Sequence, residues 1–341
     1  MPELTRPRVV TTLFMAEGVT RVGDAITMVA LPLTAILVLD ASPAGLALIG
    51  AAQAAPILLL SLPAGAWVDR RARRWSILVT ADVFRGFLLA SVPIAAVMGV
   101  LSLPFLAGVA LAASACGTLF DLAFAGWVPR LLAGDALHRA NARIELARSA
   151  ASVTGPAIGG VLVAALTAPF ALLADAASFI GSAALIARVR AGEPIPPAPT
   201  ARAPLRTELS AGLRFIGRQP LVRAVTLTAG INNLARSIAM SVAVLYLVDS
   251  ARMDAAQIGL AFALGNSGFV IGALVSRRLS ERLGMGSTMQ LGVGLFGPSM
   301  LLFAAAPPSL SGLACTLMIF AHGFGIAVHN VNQVTVRQVL T

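Results

Sequence analysis

The sequence predicts an all-α, polytopic membrane protein, and three observations carry that prediction. Of its 341 residues, 57% are hydrophobic and 12% charged, with a mean hydropathy of +0.86. A soluble domain carries about a quarter charged residues, and half that fraction cannot cover a soluble surface. Ten apolar segments each approach the roughly 20 residues that cross a bilayer as a helix. The net charge of +10 comes wholly from arginine, because the chain has no lysine. A basic balance often signals nucleic acid. Here the arginines cluster between apolar runs, which points to a membrane surface and no nucleic-acid partner. A secreted disulfide scaffold, a disordered tail protein and a cytosolic enzyme are excluded. Cys116 and Cys315 both sit inside apolar runs, so neither a disulfide nor a zinc site is expected.

The expected spans are 10–38, 44–68, 75–99, 103–125, 149–167, 170–187, 221–248, 255–276, 289–306 and 310–334. The first is too long for a cleaved signal peptide. Glu17, Arg21 and Asp24 interrupt it, and no small-residue cleavage site follows. With the N-terminus in the cytoplasm, 21 of the 25 arginines fall in cytoplasmic loops and termini. The opposite side holds only Arg252, and Arg21, Arg85 and Arg236 lie within spans. That asymmetry predicts a multi-pass protein of the cell membrane with its N-terminus inside. Trp67, Trp75 and Trp127 fall at cytoplasmic span ends, where amphipathic rings anchor.

Residues 190–219 break the pattern. A proline-rich run from Glu193 to Pro199 reads as a stiff linker. Leu205, Leu209, Leu213 and Ile216 then recur at helical spacing among Arg206, Arg214 and Arg218, a surface amphipathic helix. The expected organisation is a six-span half at 1–189, this linker at 190–219, and a second half at 220–341 with four spans.

The two halves repeat. Gly65-Ala-Trp-Val-Asp-Arg-Arg71 resembles Gly272-Ala-Leu-Val-Ser-Arg-Arg278 at an offset of 207. Leu37-Val-Leu-Asp40 matches Tyr246-Leu-Val-Asp249 at an offset of 209, and Arg130 falls opposite Arg337. Parallel six-span repeats are a known transporter architecture. By this register the chain holds about ten of twelve spans.

Gly65-x-x-x-Asp69-Arg70-x-x-Arg73-Arg74, between spans two and three, resembles the signature loop of the major facilitator superfamily, with Ala72 where a glycine is usual. Gly65 would allow close helix approach. Asp69 would accept hydrogen bonds at a helix N-terminus or pair with an arginine, latching the halves in one state. The alternative is that these arginines are topology anchors only. In span five, Ala151-x-x-x-Gly155-Pro156-x-x-Gly159-Gly160 resembles the motif of the drug–proton antiporter branch, with Ala151 for the first glycine. Small residues at this spacing make a packing groove and Pro156 a kink; ordinary helix packing would use the same residues. Arg21-x-Gly23-Asp24, Asp82-x-x-Arg85-Gly86, Ala174-Asp175-Ala-x-Ser178-Phe179 and the stretch from Val128-Pro129-Arg130 to Ala140-Asn141 look like the enterobactin-exporter and macrolide-efflux subfamily. Many drug–proton antiporters carry an arginine in span four. This span has Asp121 instead, which leaves the proton route open.

Charged groups inside spans are costly and are candidates for function. Glu17, Arg21 and Asp24 lie within about 60° of one another around a helix, so they share a face that would line a cavity. A static triad holding helices in register is the alternative. The less compensated carboxylate would carry protons, and Asp24, nearer mid-span, is the first choice before Glu17. Asp82 and Arg85 are expected to pair with one another or with Asp121, as structure rather than chemistry. Asp175 is expected near the outer surface as an interface group. Asn232, Asn233 and Arg236 form a polar patch in span seven. His322 and His329, seven apart in span ten, share a face, but nothing nearby completes a metal site. No phosphate loop, catalytic triad pattern or cofactor motif is present, so neither an enzyme nor a cofactor is expected. The resemblance implies secondary transport by rocking halves, exporting a hydrophobic or amphipathic small molecule (drug, macrolide or siderophore type) against inward proton movement, as a monomer in the bilayer. An importer of the same fold and a truncated, non-transporting membrane protein remain alternatives.

Overall fold

In the computed structural model, residues 6–132, 134–189 and 243–340 are described, with scattered positions between 207 and 240. Six long helices come first: α1 (Arg6–Leu39), α2 (Pro43–Asp69), α3 (Arg74–Val97), α4 (Leu103–Leu131), α5 (Gly134–Leu166) and α6 (Ala168–Val189). After them come α7 (Ala255–Leu283), α8 (Met285–Gly294), α9 (Phe296–Ala305), a 3₁₀ turn at Pro308–Leu310 and α10 (Ser311–Leu340). Among the described residues there is no strand, and nine stretches are long and apolar enough to cross a membrane. Expected span seven and the 205–216 amphipathic helix lie largely outside the described residues.

Local chemistry sets the ends. Pro43 opens α2, where its missing N–H is no loss, and the Ser42 hydroxyl accepts from the Gly45 amide. Asp254 caps α7 in a reciprocal box with Gln257. Gly284, at φ 81°, takes a left-handed conformation between α7 and α8 that a side chain would resist.

Two expected limits differ from the structure. α5 begins at Gly134, not near 149, because its polar first half continues the same helix beyond the apolar stretch that hydropathy selects. Expected span nine is divided into α8 and α9 at Leu295. Pro298 cannot donate to the Gly294 carbonyl, so the helical ladder is interrupted there.

Packing follows the repeat. α2 and α3 pack on α4, and α7, α8 and α9 pack on α10. α1 packs on α5 and α6, and α6 also on α3. Along α7, Gly265, Gly268 and Gly272 lie against α10, where added Cβ atoms would meet Ile319, Phe320 and Phe324. Gly65, the repeat partner of Gly272, has nothing among the described residues within 4 Å of such an atom, so its expected close approach is not made here. The two parts of the bundle meet along α5 and α7.

Candidate functional site

The site is built from α1 outward. Helical periodicity puts Glu17, Arg21 and Asp24 on one face, and Arg21 uses all three guanidinium nitrogens. Its Nε donates to Glu17 Oε1 at 2.9 Å and its Nη1 to Asp24 Oδ2 at 3.2 Å. Its Nη2 reaches Asp121 Oδ1 and so ties α1 to α4. Glu17 is fully buried and also accepts from Arg148 Nε of α5 at 2.6 Å. From α3, Arg85 donates through Nη2 to Asp24 Oδ1 and lies over the Phe179 ring of α6, 3.8 Å from its centroid. Asp24 is therefore clasped by two guanidiniums, Arg21 and Arg85.

Of the pairing expected for α3, the Asp82–Arg85 contact survives only as a long ion pair and the Asp121 alternative is not made. Asp82 stands 4.0 Å from Arg85, without a hydrogen bond between them, and Asp121 pairs with Arg21 instead. Asp82 and Arg85 are one turn apart, but the longer arginine crosses to α1 while the carboxylate lies beside Ser182 of α6. Asp175 is also placed differently. It is fully buried between α1 and α6, and accepts from the Thr27 hydroxyl and, at 3.1 Å, from Ser178. Gly23 makes the approach possible, because a Cβ there would overlap both Asp175 and Ser178.

Around this network lies a cavity of about 220 Å³. Its charged wall is Arg21, Asp24, Arg85, Asp121 and Asp175. Gln53, Ser114 and Thr118 add polarity, and Met28, Leu31, Ile57 and Leu89 make the remainder apolar. The Ser114 hydroxyl donates to the Gln53 carbonyl at 2.6 Å, holding α4 to α2 on the far side. Neither His322, which is buried in α10, nor His329 lines this cavity. Asn232, Asn233 and Arg236 lie outside the described residues.

Across the loop between α2 and α3, Arg74 Nη2 donates to Asp69 Oδ1 at 2.6 Å. Arg74 is buried against Gly126 of α4, whose absent Cβ leaves the space that its guanidinium fills. Arg130 Nη1 donates to the Ala72 carbonyl at 3.1 Å, and Arg71 lies over the Trp67 ring. The Arg70 amide closes α2 onto Trp67, and Arg73 stands at the N-cap of α3 without a side-chain cap. The loop thus staples α2, α3 and α4 at one end of the bundle.

The glycines of α5 face two ways. Gly155 and Gly159 lie against Ala25 and Ile26 of α1. Gly160 meets Ala255 and Gly259 of α7, and the Gly259 approach includes the Pro156 carbonyl. Asn266 Nδ2 donates to the Ser152 carbonyl at 2.8 Å, further along the same antiparallel contact.

Sequence reasoning missed Arg148, which it counted among the topology anchors. The signal was available: Arg148, Ala151, Gly155 and Gly159 form one helical stripe, so the arginine faces α1 with the glycines. Gly126 and Phe179 carried no comparable signal, because their partners come from distant helices.

The profile of the Major Facilitator Superfamily matches residues 13–340. The chain belongs to that superfamily. Among curated relatives, the enterobactin exporter EntS of Escherichia coli O1:K1 is 34% identical over 217 residues, 62% of this chain and 49% of the exporter. The chain thus spans about half the length of the curated relatives it matches. Among solved structures, the nucleoside transporter NupG superposes with a TM-score of 0.71 at 12% identity, covering 96% of this chain and 82% of that one. A bacterial homologue of the iron transporter ferroportin, outward-facing, gives 0.64 at 20% identity, covering 98% and 85%. At these identities the structures share the fold: a multi-pass helical bundle of two repeats.

Proposed function

We propose that this superfamily member is a proton-coupled secondary transporter that exports a hydrophobic or amphipathic small molecule. The observation that supports this reading is the cavity among α1, α2, α3, α4 and α6, where apolar walls enclose ion pairs drawn from separate helices. Ionisable groups at such depth are costly unless they are used, and each interhelical pair gives a rocking motion something to exchange. The α5–α7 contact, made by small residues, lets two rigid parts pivot against each other. In this reading the halves are 1–189 and 220–341, joined by the 190–219 linker, and the working unit is a monomer. A macrolide or a catecholate siderophore suits the mixed wall; EntS is by name an enterobactin exporter.

Purified protein in proteoliposomes tests the reading. With an imposed pH gradient, a macrolide, a catecholate siderophore or ethidium should move out of the compartment corresponding to the cytoplasm. Dissipating the gradient should stop that movement. Equal fluxes with and without the gradient for all three probes would refute coupling, and gradient-driven entry would reverse the direction.

The proposed orientation has its own test. With Cys116 and Cys315 replaced, Ser42→Cys in intact cells should react with an impermeant maleimide. Ala133→Cys and Thr200→Cys should react only with a permeant one. Labelling of Thr200→Cys from outside would place the N-terminus on the other face.

A further inference from the structure

The charge inventory around the cavity does not balance. Five carboxylates, Glu17, Asp24, Asp82, Asp121 and Asp175, face three guanidiniums, those of Arg21, Arg85 and Arg148. Glu17, Asp24 and Asp121 each hold a guanidinium by a hydrogen bond. Asp82 has Arg85 at 4.0 Å, and neither of its oxygens accepts a well-formed hydrogen bond among the described residues. Asp175 has two hydroxyl donors and, among the described residues, no guanidinium within 4.0 Å. Two carboxylates more than cations cannot all stay ionised in an apolar bundle without cost. The surplus falls on Asp82 and Asp175.

These two differ in access. Both are fully buried, but Asp175 borders the cavity and Asp82 does not. The cavity therefore brings a proton up to Asp175, whereas among the described residues it does not border Asp82. Resting on the transport reading above, we infer that Asp175 of α6 is the exchangeable proton site, and that its charge decides where Arg85 binds.

The charged groups facing Asp175 are Asp24 from α1 and Arg85 from α3. α5, the third helix touching α6, directs its Arg148 to Glu17 instead. Asp121 looks across the cavity from α4 and holds Arg21. Arg85 lies over Phe179, one helical turn beyond Asp175 on the same helix. With Asp175 neutral, Asp24 is the better anion for Arg85, and the guanidinium ties α3 to α1, as in this structure. With Asp175 ionised, the same guanidinium has two anions in reach on different helices. Its transfer toward α6 would release α1 from α3. No bond is made or broken beyond the proton on Asp175, which enters from cavity water and returns to it. Because Gly23 lets Asp175 lie directly against α1, sliding of α1 on α6 also moves the Thr27 hydroxyl donor, while Ser178 stays with Asp175 on α6.

Infrared difference spectroscopy on the protein in lipid, stepped between acid and alkaline buffer, reads this site without any substrate. The wild type should show loss of a protonated-carboxyl C=O band as pH rises. The band should vanish in Asp175→Asn and persist, displaced, in Asp175→Glu. It should also persist in Asp24→Asn, whose carboxylate is already held by two guanidiniums. A band unchanged in Asp175→Asn, or lost in Asp24→Asn and not in Asp175→Asn, would overturn the assignment. Should Asp175→Asn fail to fold, Asp175→Glu decides: a band that does not move on this change is not from residue 175. An ethidium flux assay with a pH gradient separates this inference from transport itself. Wild-type protein that titrates as described yet moves no probe would refute the transport reading and leave the proton site standing. Where the wild type does export ethidium, Asp175→Asn should lose the gradient dependence while keeping downhill flux.

Discussion

Arg21→Ala should lower the recovery and thermal stability of folded protein more than any other single substitution in the first six helices. One guanidinium serves Glu17, Asp24 and Asp121, and its removal takes a cation from all three at once. Removing one partner of a buried pair costs about 3–5 kcal/mol, against a total stability of roughly 5–15 kcal/mol for an ordinary protein. Glu17 keeps Arg148 and Asp24 keeps Arg85, so the stranded group is Asp121. Asp121 is itself half exposed, and water screens part of its loss. The cost should therefore fall below that range, between it and the roughly 1 kcal/mol of an exposed pair. Arg21→Lys should restore only part of the stability, because an ammonium cannot fork among three carboxylates. Adding Asp121→Asn to Arg21→Ala should recover more, because the stranded charge is then gone. Detergent-extracted yield and thermal denaturation measure all three. Parent-like melting of Arg21→Ala would show that the triad contributes nothing to the fold. Asp69→Asn makes a useful contrast: its carboxylate is mostly exposed, so the loss should stay below about 1 kcal/mol.

What could be read from the sequence, and what could not, divides along a physical line. Apolar length gave the spans, because a bilayer demands length and little else. One-helix geometry placed Glu17, Arg21 and Asp24 on a single face, and the structure joins them through Arg21. Spacing within α5 marked Gly155, Pro156, Gly159 and Gly160 as packing positions, and the structure packs the three glycines closely. Contacts between helices were another matter. Arg85 had a carboxylate one turn away, so Asp82 was the natural partner by proximity. The structure gives the arginine's hydrogen bond to Asp24, sixty-one residues distant in sequence, and leaves Asp82 at 4.0 Å. Likewise, nothing in the sequence placed Gly23 against Asp175, which turns an expected surface group into a buried one. A long arginine side chain reaches any of several helices, and only the packing decides which. The same limit explains Gly65, whose motif spacing was clear while its neighbours were not.

Gly259→Val should shift the protein away from the conformation described here, by a large factor, because it sits at the contact between the two parts. A Cβ on Gly259 would run into the Pro156 carbonyl oxygen and lie 2.9 Å from Gly160 Cα. Both are backbone atoms, so no side chain can turn aside, and α5 and α7 must separate. Overpacking of this kind costs about 1–3 kcal/mol. The cost applies only to states in which these helices touch, so their population falls roughly tenfold for each 1.4 kcal/mol. Gly160→Val should act the same way, because its Cβ would strike the Ala255 carbonyl from the opposite helix. A reporter is available one turn along α5. Val163 is 4% exposed and lies in the same buried cluster as Ile258 of α7. With Cys116 and Cys315 replaced, Val163→Cys should alkylate slowly in the parent and about tenfold faster with Gly259→Val, the factor expected for a shift near 1.4 kcal/mol. Gly268→Val provides the control. Its clash is with Phe320 of α10, within the second part, so it should lower stability without opening the α5–α7 contact. Unchanged alkylation in a folded Gly259→Val protein would mean that α5 and α7 stay together throughout. The pivot between the two parts would then have to lie elsewhere.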